Sequence, residues 1–71
     1  MSDQEYKDYL LKDWEKGKKE LELNLEMALL MLEARDLKSM DDFIDDAKQA
    51  YKDIRVTTEE LTSRFDIIFK N

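Results

Sequence analysis

Asp41, Asp42, Asp45 and Asp46 are the densest set of groups in this chain that could do chemistry. On a helix, Asp42 and Asp46 share one face and Asp41 and Asp45 another, and paired carboxylate oxygens suit a hard cation such as magnesium. The hydroxyls of Ser2, Ser39, Thr57, Thr58, Thr62 and Ser63 are the other candidates. A hydroxyl becomes a nucleophile when a neighbouring base takes its proton, and the chain has no histidine and no cysteine. A phosphate cradle needs a glycine-rich loop, and the one glycine is Gly17.

The aspartate spacing resembles the acidic motif that holds magnesium against a diphosphate in isoprenoid synthases. That chemistry takes place in a deep helical cavity, which 71 residues cannot enclose. Acids in the first turns of a helix are in any case favoured by its dipole. A carboxylate di-metal site would draw on Glu20, Glu22, Glu26 and Glu33, but it needs Glu-x-x-His pairs, and Glu22, Glu26 and Glu33 fall on one polar line. The expectation is a protein with no catalytic, cofactor-binding or metal-binding residues, and not an enzyme.

Charge narrows the partners. The 12 Lys and Arg are interleaved with 18 Asp and Glu for a net charge of −6, the pattern of a solvated helical surface. A helix-turn-helix reading would open its recognition helix on Glu59 and Glu60, against phosphate. Neither nucleic acid nor an anionic membrane is expected as a partner. The wholly apolar run from Met27 to Leu32 is too short to span a bilayer, and the opening residues are acidic where a signal peptide is basic, so a cytoplasmic location is expected.

The elements must be read without proline. Ser2 precedes Glu5, Ser39 precedes Asp42 and Thr57 precedes Glu60, three capping patterns that each lead an amphipathic segment. They predict a single all-α domain over 1–71: a small bundle of one long helix, 3 to 36, and two short ones, 40 to 54 and 58 to 70. Leu10, Trp14, Gly17, Leu21, Leu25, Ala28 and Leu32 form the stripe of the first helix, close to an eleven-residue repeat. Beside it, Leu23, Met27, Leu30, Ala34 and Leu37 widen the apolar arc in the second half, beyond what one neighbouring helix covers.

Helices of such unequal length leave Tyr6, Tyr9, Leu10, Leu11 and Trp14 without cover. Either a continuous first helix packs its aromatic end against a second copy, or the chain bends near Gly17 into a four-helix monomer. The first is favoured, which predicts a homodimer with Tyr6, Tyr9, Leu10, Trp14 and Gly17 at the interface, tyrosine and tryptophan being common anchors. The expected function is thus protein–protein interaction, by self-association and with a regulatory or structural partner. The alternative is a heteromeric inhibitor, such as an immunity protein, antitoxin or phage-encoded antagonist including a DNA mimic, with Asp41, Asp45, Asp46 and Asp53 docked on a basic site.

Overall fold

The computed structural model describes residues 2–70, which form an antiparallel hairpin of two helices, α1 (Asp3–Glu33) and α2 (Leu37–Phe65). The all-helical class holds, but the two short helices are one. Thr57 is the reason. Its hydroxyl lies 3.1 Å from the Asp53 carbonyl one turn back and 3.1 Å from Asp13 Oδ2 across the hairpin. Back-bonded in this way, a threonine sits inside a helix instead of starting one. The expected break at Arg55 and Val56 is therefore continuous helix.

The first helix runs straight through Gly17 and stops at Glu33, short of residue 36. Arg35 takes the left-handed conformation (φ 60°), while the Asp36 amide donates to Met31 O at 2.9 Å and that of Arg35 to Leu32 O at 3.0 Å. This is the double bond pattern that commonly ends helices at glycine. With arginine in that place, the turn carried no glycine signal. Of the three expected caps, Ser2 is one, its Oγ accepting from the Glu5 amide at 3.2 Å. At α2 the cap is Asp36, whose Oδ1 accepts from the Ser39 amide at 3.1 Å, so Ser39 is the capped residue and not the cap.

The hydrogen bonds from Ser39 hold the Asp36 carboxyl below its usual pKa of 3.8. A depressed folded value stabilises above the unfolded pKa and is lost as pH falls through the folded one. Asp36→Asn, which keeps a capping oxygen that does not titrate, is expected to flatten this part of the acid limb in melts taken between pH 5 and about 2. An unchanged acid limb would remove Asp36 as its source.

Helix α2 ends where Asp66 turns left-handed (φ 56°), and residues 66–70 leave the helix. The expected helical run to residue 70 thus stops five residues early. The departing segment brings the Phe69 ring to 5.9 Å from that of Trp14.

Among the positions that are not exposed, one row on α1 runs Leu10, Trp14, Gly17, Leu21, Asn24, Ala28 and Met31, and one on α2 runs Met40, Phe43, Ala47, Ala50, Ile54, Thr57 and Leu61. Both alternate steps of three and four, the heptad seam of helices at a shallow crossing. The eleven-residue stripe is corrected at two places: Asn24 and Met31 face the seam, while Leu25 and Leu32 remain 43% and 46% exposed. Asn24 settles there by donating to Glu20 O at 2.9 Å.

The hairpin measures 48 × 24 × 13 Å, a layer one helix thick. Its radius of gyration is 15.0 Å, where a compact chain of this length has about 11 Å. A single seam buries little. Leu10, Ala28, Ala47, Ala50 and Leu61 are the buried apolar side chains among the described residues.

Candidate interaction surface

Fusion of the short helices makes α2 nearly as long as α1, 29 residues against 31. The premise that the aromatic end lacks cover is thereby corrected. Leu10 is buried, and Tyr6 packs at 6.2 Å on Phe65, with Arg64 5.0 Å over its ring. Trp14 Nε1 donates to Thr58 Oγ1 at 3.1 Å, and Gly17 faces Ile54. Four of the five residues expected at an interface between copies are thus used within one. Tyr9, stacked 6.4 Å from Tyr6, is more than half exposed. Partial burial, with Glu60 accepting from the phenol at 3.2 Å, raises the Tyr6 pKa against the opposing pull of Arg64.

The two sides of the hairpin differ in chemistry. One carries the Tyr6–Glu60 and Thr57–Asp13 bonds and a groove lined by Asp13, Lys16, Glu20, Asp53 and Val56. On the other, Thr58 meets Trp14, and Arg55, Thr62, Ile68 and Phe69 line a more apolar groove. Seven residues make nearly two helical turns, so Tyr51, Ile44 and Leu37 follow Thr58 along this second side. On α1 the acidic side is taken by Asp13, Lys16 and Glu20, which leaves Leu25, Leu29 and Leu32 to border the seam on the apolar side.

Near the chain termini the tail covers this apolar side. Toward the turn, nothing among the described residues does. Leu25, Leu29, Leu32, Leu37 and Tyr51 are 43 to 61% exposed and Ile44 is half-buried. Leu23 and Leu30 are exposed on the opposite flank of α1, where α2 offers Asp46 and Asp53. The wide arc from Met27 to Leu32 pointed to this surplus. The α2 half, spaced seven apart across the supposed boundary between two helices, was missed because that boundary was misplaced.

The four aspartates of the alternative acidic surface do not share a face. Helical spacing puts Asp46 and Asp53 on the acidic side, Asp41 on the apolar side and Asp45 outward. Among the described residues no three acids converge as a cation site, and no helix is long and apolar enough to cross a membrane. No protein-family model, curated protein or solved structure matches the chain.

Proposed function

We propose that this protein is a non-catalytic helical interaction module that works by self-association through the apolar side of its turn half. Its surplus of surface carries the reading. The folded chain exposes 5806 Å² at 8.5 kDa, whereas a compact monomer of that mass exposes about 4,700 Å². The excess, about 1,100 Å² per chain, is of the order that one partner buries in a stable interface, roughly 800 Å². Leucines and a tyrosine dominate the uncovered patch, and apolar surface of that kind marks a protein-binding site. A second layer of helices would turn the single seam into a bundle core.

The test is Leu29→Glu, followed by sedimentation equilibrium. Leu29 is 60% exposed in the single hairpin, so the variant monomer is expected to keep its helicity and its stability within about 0.5 kcal/mol. Self-association is expected to weaken tenfold or more, because a carboxylate would have to be buried in each copy. A wild-type chain that stays monomeric at every concentration, or a variant that associates as well as wild type, would overturn the assignment of this face.

A further inference from the structure

We propose that the second copy docks with its turn beside the first turn, so that α1 of each copy lies over α2 of the other and the outer edges pair acid to base. This arrangement rests on reading the face as a self-association surface, and it adds which helix meets which. A hairpin laid on its own copy has two symmetric choices. With the two-fold axis along the helices, both turns lie at one end and unlike helices face each other. With the axis across them, the turns point apart and each helix faces its own copy.

Charge at the edges of the face selects the first. On α1 the edge outside Leu25 and Leu32 carries Glu15 and Glu22, each a multiple of seven residues before Leu29. On α2 the corresponding edge outside Ile44 and Tyr51 carries Lys48 and Arg55, with Asp41 nearer the turn at the level of Leu29. Gly17 stands level with Ile54 and Trp14 with Thr58 across the seam, which places Glu15 level with Arg55 and Glu22 level with Lys48. Turn beside turn, Glu22 stands over Lys48 of the second copy and Glu15 over its Arg55, each pair occurring twice. The crossed arrangement, centred on the apolar patch, instead carries Glu15 and Glu22 away from Lys48 and Arg55 of the second copy and leaves these charges unpaired at the rim. One chain thus holds both halves of a matching rim, which favours a second copy as the occupant.

The chain has no cysteine, so Lys12→Cys gives a single position for a spin label on the exposed, outward side of α1. In the proposed dimer the two labels lie at one level, within about 35 Å; in the crossed dimer, centred on the apolar patch, the rise per residue separates them by about 50 Å. Glu22→Lys and Lys48→Glu are each expected to weaken association about 3- to 10-fold, and the double reversal to restore it to within about twofold of wild type. A dimer with the long distance, or one that the double reversal fails to restore, overturns this arrangement and leaves self-association standing. Absence of any dimer overturns both.

Discussion

Leu61→Ala is expected to bring the isolated hairpin to the margin of unfolding in dilute solution at room temperature. Leu61 is 0% exposed and is the one large side chain fully buried among the described residues; three of the other four buried apolar residues are alanines. Truncating a buried leucine costs about 3 kcal/mol, from lost transfer energy and the cavity left behind. A core this small supplies only about 3 to 5 kcal/mol in total, so one substitution consumes most of the margin. Urea melts followed by far-ultraviolet circular dichroism give the readout. Leu30→Ala removes the same atoms from a residue that is 52% exposed, and its expected change is within about 0.5 kcal/mol. If both variants melt alike, the core does not lie on the seam described.

Gly17→Leu is the second large effect, and its sign separates two readings of the same residue. In an exposed helix, replacing glycine gains roughly 1 kcal/mol of helix propensity. Here a Cβ on Gly17 would stand 2.8 Å from Ile54 Cγ1 and 3.6 Å from its Cδ1. Cγ1 is close to the α2 backbone, so little of the clash can be relieved by swinging a flexible end aside. The helices must part, and overpacking of this kind costs about 1 to 3 kcal/mol. With leucine's further atoms to accommodate, the expected net loss is about 2 kcal/mol, seen as a fall in melting temperature of roughly 10 °C. Adding Ile54→Ala makes room and should recover part of the loss. A Gly17→Leu chain that melts higher than wild type would place residue 17 away from α2.

These two sites show where local reading and packing part company. Gly17 on an apolar stripe was legible as a place of close approach, and the long unbroken α1 followed from its periodicity. Thr57 with Glu60 three residues on has the same local form as Ser2 with Glu5, yet only Ser2 caps a helix. The difference is long-range: Asp13, 44 residues away in sequence, meets the Thr57 hydroxyl inside the seam. Arg35 in a left-handed turn illustrates the opposite case, a helix end without the residue type that usually announces it.

The chain's composition and periodicity determined by themselves that it is helical, that its surface is mixed in charge with an acidic excess, and that its second quarter carries more apolar surface than one neighbour can cover. Those properties depend on residues three, four and seven apart, whose relation is set by the helical repeat alone. Tertiary structure decided how many helices there are, whether the aromatic end is core or surface, and which leucines are left over. An α2 nearly as long as α1 covers Tyr6, Leu10 and Trp14, and the seam takes Asn24 and Met31 in place of Leu25 and Leu32. A helix offers several apolar stripes a small rotation apart, and the choice among them is made by the shape of the partner helix, here one lined with Ala47, Ala50 and Thr57 that draws the two backbones together.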